Sequence, residues 1–95
     1  VHINEFQKLM RQLYFHRDSE RGLTKTFNWL VDEVKELGEA LKTEDRSAIE
    51  GEFADVIAWL ASLANIVNID LETAALNKYD KKCPKCGQNP CQCTF

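Results

Sequence analysis

Asp32-Glu33-Val34-Lys35-Glu36 and, sixteen residues further on, Glu52-Phe53-Ala54-Asp55 are the stretches on which the fold turns. Each lies within sequence whose apolar residues recur every three or four positions, the period of an α-helix. With Leu30 at zero on a helical wheel, Phe27, Val31, Val34, Leu37 and Leu41 fall in one arc of about −20° to +100°, the expected buried stripe. Glu33 and Glu36 fall at about −60° and −120°, beside Leu37 and interleaved with Trp29 and Ala40, at the margin of that stripe. On the later segment Glu52 and Asp55 are likewise one turn apart, with Trp59 between them and Val56 and Leu63 beyond. The back of that segment is Ala54, Ala58, Ala61, Ser62 and Asn65, small residues that permit close approach of another helix.

Working outward, no segment shows sustained strand-like alternation. Ile3, Phe6, Leu9, Met10 and Leu13 predict an amphipathic helix from Val1 to about Tyr14. Asp18, Ser19 and Gly22 predict a loop over Arg17–Leu23. Thr24 or Thr26 caps a second helix to about Leu41, and Ser47, with Glu50 in the capping-box position, starts a third to about Val67. Asp70 caps a short fourth helix to about Tyr79. The expected fold is all-α: a four-helix bundle-like domain over residues 1–80 and a short cysteine-rich tail over 81–95.

The charge is unevenly laid out. Val1–Val31 carries +2, Asp32–Glu72 carries −8 and Lys78 onward +3. An acidic centre does not suit a nucleic-acid polymer, which wants a continuous basic patch. It suits divalent cations in the middle with phosphates at the flanks. The strongly polar-free run Val56–Ala64 is too short for a bilayer, and residues 1–5 lack a signal-peptide layout, so a cytoplasmic protein with no membrane partner is expected.

Carboxylates near a core repel one another and lose hydration, and no lysine or arginine sits at helical spacing on the same faces. Side chains at i and i+3 can reach one ion, and an oxygen-only donor set favours Mg²⁺ or Mn²⁺. A lone E-x-x-E is commonly a solvated face; two such pairs on successive helices favour a metal. A di-iron bundle asks for Glu-x-x-His on two helices, and neither His2 nor His16 follows a Glu by three.

The paired motif resembles the MazG family of nucleoside triphosphate pyrophosphohydrolases, whose signature is E-E-x-x-E followed by E-x-x-D on two helices of an all-α bundle. Thr26-Phe27-Asn28-Trp29-Leu30 looks like that family's entry to the first motif helix, and Asp70-Leu71-Glu72 through Lys78 like its closing helix. The resemblance covers most of Tyr14–Tyr79. It implies Mg²⁺-dependent hydrolysis of NTPs or dNTPs to monophosphate and pyrophosphate, with Glu33, Glu36, Glu52 and Asp55 as metal ligands and Glu36 or Glu33 also acting on the attacking water. Asp32 stands where the family usually has its leading Glu, and Lys35 where it often has Gly.

For the substrate side, the resemblance singles out Lys78 for the β and γ phosphates. Arg17, Arg21, Lys81 and Lys82 come second, each otherwise an ordinary surface charge. Trp29 or Trp59 could stack on a base, with a core role the competing reading for Trp59. His16 and Phe15 could line the pocket. The Ala-lined back of the third helix and the small core suggest a homodimer or tetramer. The competing functional class is a non-catalytic dimerisation or regulatory module with a structural cation.

The tail reads C-x₂-C-x₄-C-x-C over Cys83, Cys86, Cys91 and Cys93. Cys83-Pro84-Lys85-Cys86-Gly87 resembles a zinc-ribbon knuckle, although ribbons usually separate their pairs by more residues. Structural Zn²⁺, reduced free thiols and a disulfide are the three states compatible with it.

Overall fold

A computed structural model describes residues 2–94. Helices α1 (Ile3–Arg21), α2 (Leu23–Leu41), α3 (Arg46–Ile66) and α4 (Leu71–Lys78) account for its regular structure, and there is no strand among the described residues. The fold is therefore all-α. The expected start of the first helix at Val1 lies outside the described residues. No single helix among them is long and apolar enough to cross a membrane.

α3 is the hub, with α2 packed along one side and α1 along another; α4 leaves it at 97° and leans on α1. α1 approaches closely because α3 offers it Ala61, Ser62, Ala64 and Asn65, all buried. Of the small-residue back of α3, Ala61, Ser62 and Asn65 are covered within the chain, whereas Ala54 is exposed and Ala58 half-buried. From α1, the buried residues are Gln7, Met10 and Asp18. The expected apolar face is only partly the buried one, since Ile3, Leu9 and Leu13 remain exposed. An asparagine at the contact selects a glutamine opposite it, because a buried amide must be hydrogen-bonded.

That amide clasp ties three helices. Gln7 Nε2 donates to Asn65 Oδ1 at 3.0 Å and to the Ile69 carbonyl at 2.7 Å. Gln7 Oε1 accepts from the Leu71 backbone N–H at 2.8 Å, satisfying a free donor at the start of α4. Asn65 Nδ2 returns a bond to the Gln7 carbonyl at 3.2 Å.

Three boundaries differ from the sequence expectation. α1 does not stop near Tyr14 but runs to Arg21, so the predicted seven-residue loop collapses to Gly22 alone. Asp18 helps to hold the last turn through Arg21 Nη1 at 2.9 Å, and its carbonyl accepts from Gly22 N at 3.0 Å. Gly22 has φ +86°, a conformation that only glycine adopts without strain, and it serves as both the end of α1 and the cap of α2. Thr26 is accordingly no cap: it is fully buried and accepts from Arg21 Nη1 at 3.2 Å. Asp45, not Ser47, caps α3 by accepting from Ala48 N, because its carboxylate is placed one turn before the first free N–H groups. Asp70 caps α4 as expected, bonded to Thr73 N.

The apolar stripe of α2 is only half-covered. Phe27, Val34 and Leu41 are about half exposed, because α2 packs mainly on α3 and no other described helix covers the rest of the stripe. Replacing Gln7 with Ala leaves Asn65 Oδ1, the Ile69 carbonyl and the Leu71 N–H without their partner. Urea denaturation should show a loss of about 2–3 kcal/mol, one to two unsatisfied buried groups' worth. A loss under about 0.5 kcal/mol, the scale of an ordinary surface change, would contradict the clasp.

Candidate metal and nucleotide site

Where α2 and α3 lie side by side, the helical period that placed Glu33 one turn before Glu36, and Glu52 one turn before Asp55, turns both pairs toward the same seam. Glu33, Glu36 and Glu52 each offer a carboxylate oxygen, and these oxygens all lie within 4.8 Å of one another. Asp55 stands outside that trio, yet its charge acts on Glu33 and Glu52. It also faces a cavity of about 310 Å³ between α1 and α3.

Among the described residues no lysine or arginine forms a salt bridge with the trio. Glu33 is buried, and both Glu33 Oε2 and Glu52 Oε2 are buried oxygens with no hydrogen-bond partner among the described residues. The Glu33 carboxyl is pushed up from 4.5 to about 7, first by burial, then by hydrogen bonding with Glu36 and by the charges of Glu36, Asp55 and Glu52. Glu52 is raised as well, by desolvation and by Glu36 and Asp55. Native proteins rarely leave such oxygens unsatisfied. Hard oxygen donors in a group of three or four fit a divalent cation such as Mg²⁺ or Mn²⁺, with open positions for water and phosphate.

The adjoining cavity supplies what the acidic seam lacks. Tyr14, Arg17, Asp18 and Arg21 line it from α1, and Asp55 and Trp59 from α3. Arg21 is held by Asp18, which is 1% exposed, and by Thr26, with its guanidinium 4.7 Å over the Trp59 ring. Trp29 and Trp59 stack on one another, centroids 5.5 Å apart and planes within 10°, joining α2 to α3 beside the carboxylates. Both indoles are thus near the acidic seam, but each has the other as its stacking partner.

The remaining sequence candidates lie elsewhere. Lys78 is exposed at the end of α4, its ammonium 5.9 Å over the Tyr79 ring, and His16 is exposed on α1; neither lines the cavity beside Asp55. Arg17 and Arg21, given second place from sequence, line the cavity that Asp55 also faces. Tyr14 and the bridging of Asp18 to Thr26 by Arg21 are what sequence reasoning did not find. An Asp and an Arg three apart, followed by Gly, were the available signal, and they were read as a turn.

The raised Glu33 carboxyl fixes the sign of a pH effect. Its folded value lies above its unfolded one, so the native state holds the proton more tightly, and its contribution to stability is lost as pH rises from about 4.5 through about 7. Metal-free protein should therefore melt lower at pH 8 than at pH 6, and Glu33→Gln should raise the melting temperature at pH 8 by roughly 4–8 °C, the shift that ~1 kcal/mol gives in a domain this size. Mg²⁺ should restore stability to the native sequence and bind more weakly at pH 6, where it must displace the proton. Calorimetry at the two pH values checks both; equal metal affinity at pH 6 and 8 would remove the carboxylates from the metal site.

No curated protein matches the chain. The model of the MazG nucleotide pyrophosphohydrolase domain matches residues 21–87, from the end of α1 through both acidic helices and α4 into the cysteine tail. The chain belongs to the MazG family.

Proposed function

We propose that this chain hydrolyses nucleoside or deoxynucleoside triphosphates to the monophosphate and pyrophosphate, with Mg²⁺ held by Glu33, Glu36, Glu52 and Asp55. The supporting observation is the pair of buried, unpartnered oxygens on Glu33 and Glu52, set beside a cavity that carries two arginines. Bound there, Mg²⁺ would supply charge neutralisation for the triphosphate and a water of lowered pKa.

The chain's own residues do the rest. Glu36, the exposed member of the trio, orients water toward the α-phosphorus and takes its proton, since a solvent-facing carboxylate can pass that proton on. Arg17 and Arg21 bind the oxygens of the leaving pyrophosphate. Arg21 has little freedom to lose on doing so, because Asp18 and Thr26 already hold it. Tyr14 and the edge of Trp59 offer the base an aromatic wall. Lys78 remains a candidate for the terminal phosphates if substrate closes the end of α4 toward the site.

The working protein is an oligomer in this proposal. The chain exposes 7318 Å², about 1,700 Å² more than a folded monomer of its mass, whereas a standard interface buries about 800 Å² per partner. An apolar groove of about 400 Å³ between α2 and α3, lined by Leu23, Phe27, Leu63 and Val67, is the natural seat for the same elements of a second copy. Light scattering at micromolar concentration should give at least twice the 10.9 kDa chain mass, and Phe27→Glu should lower it. A monomer at that concentration would end this part of the proposal.

The reaction is tested with a panel of NTPs and dNTPs, Mg²⁺ and ¹⁸O-labelled water, native protein beside Glu36→Gln. Expected products are pyrophosphate and a monophosphate carrying the label, with turnover reduced at least ~100-fold in the variant. Release of inorganic phosphate would place attack at the terminal phosphorus. Metal binding with no turnover of any nucleotide would make the seam a structural cation site in a non-catalytic module.

A further inference from the structure

Among the described residues no helix follows α4, yet residues 81–93 have a defined backbone frame. The Cys83 N–H donates to the Gln88 carbonyl at 2.9 Å, and Gly87 N–H to the Cys83 carbonyl at 2.8 Å, closing a turn with Gly87 at φ +73°. Asn89 Nδ2 donates to the Lys81 carbonyl at 2.8 Å and draws the far strand of the loop back. Within this frame all four thiols converge: the Sγ atoms of Cys83, Cys86, Cys91 and Cys93 lie within 4.8 Å of one another. Cys83 and Cys93 are 3.7 Å apart and Cys86 and Cys91 4.0 Å.

Those separations discriminate between the three states that the sequence left open. A disulfide needs about 2.05 Å between sulfurs, so neither pair is bonded. A tetrahedral ion with metal–sulfur bonds of about 2.3 Å has edges of about 3.8 Å, which both sulfur–sulfur distances approach. Idle thiols have no reason to gather, since their S–H groups bond weakly and their ionised forms repel. Backbone N–H groups are moreover aimed at sulfur, Gln92 N at Cys86 Sγ (3.4 Å) and Cys93 N at Cys91 Sγ (3.3 Å), the contacts that favour thiolates. Four thiolates on a divalent ion carry −2, and the segment from Lys78 supplies Lys78, Lys81, Lys82 and Lys85 against Asp80 to balance it.

We propose that Cys83, Cys86, Cys91 and Cys93 form a closed, structural Zn²⁺ site that folds residues 81–93 into a compact knuckle. Zinc is the choice over Mg²⁺ or Mn²⁺ because thiolates are soft donors, and four sulfurs leave no open position for catalysis. Zn²⁺ displaces up to four protons from the thiols and changes no oxidation state. The four-residue spacer suffices because the Gly87 turn and the Asn89 bond return the chain over a short span. This site is independent of the acidic seam, and its role does not rest on nucleotide hydrolysis.

The test is elemental analysis of the full chain, purified reduced and without chelator, alongside a Cys86→Ser/Cys91→Ser double variant and Glu33→Gln. One zinc per chain is expected in the native protein and in Glu33→Gln, and none in the double variant. Helical circular dichroism should persist in that variant, because the described hydrogen bonds of the tail stay within residues 81–93. Cobalt replacement should give the visible absorption of a tetrahedral thiolate site. Iron in place of zinc, substoichiometric zinc, or zinc retained by the double variant would each overturn the proposal.

Discussion

The amide clasp between Gln7 and Asn65 is the interaction on which the arrangement depends. It pins α1 against the small-residue face of α3 and, through the Leu71 N–H, sets the start of α4. With that face occupied, α2 has only the other side of α3 to pack on. Two acidic helices are therefore brought together along one seam, and α1 contributes its arginines from across a cavity. A leucine pair at the same place would pack as well in area but would specify neither the register of α1 nor the direction of α4. A buried amide pair has few satisfying geometries, whereas an apolar contact has many.

The seam itself works against the fold. Glu33 and Glu52 are desolvated beside like charges, a cost that apolar residues at those positions would not incur. Sites that bind charge commonly sacrifice stability in this way, and the sacrifice is reversed when the ligand arrives. The exposed apolar residues of α2 and α3 show the same pattern at larger scale, since a single chain buries as core only Met10, Ala61 and Ala64 among its described hydrophobic residues.

Much of this was legible in the sequence, and the exceptions have physical causes. Periodicity alone places each acidic pair on one face of its own helix, and the cap at Asp70 follows from a side-chain oxygen placed one turn before Thr73. The end of α1 was not legible, because Asp18, Ser19 and Gly22 are turn formers in isolation. In the fold the Asp18–Arg21 pair one turn apart and the Arg21–Thr26 bond to α2 support the helical turn. The buried face of α1 was misjudged for a related reason: hydrophobicity points to Leu9 and Leu13, whereas hydrogen-bond satisfaction against Asn65 puts Gln7 inside. The stacking of Trp29 on Trp59 is a distance between two helices, and no property of either helix encodes it.

That indole pair has an optical consequence. The chain has two tryptophans, and they stack nearly parallel across the seam between α2 and α3. Transition dipoles this close couple, so the pair forms one chromophore whose near-ultraviolet dichroism depends on the angle and spacing of the rings. Any ligand that draws Glu33 toward Glu52, or that moves the Arg21 guanidinium off the Trp59 ring, changes that geometry directly. The protein thus carries an intrinsic spectroscopic gauge of helix separation at its acidic seam, readable without a label.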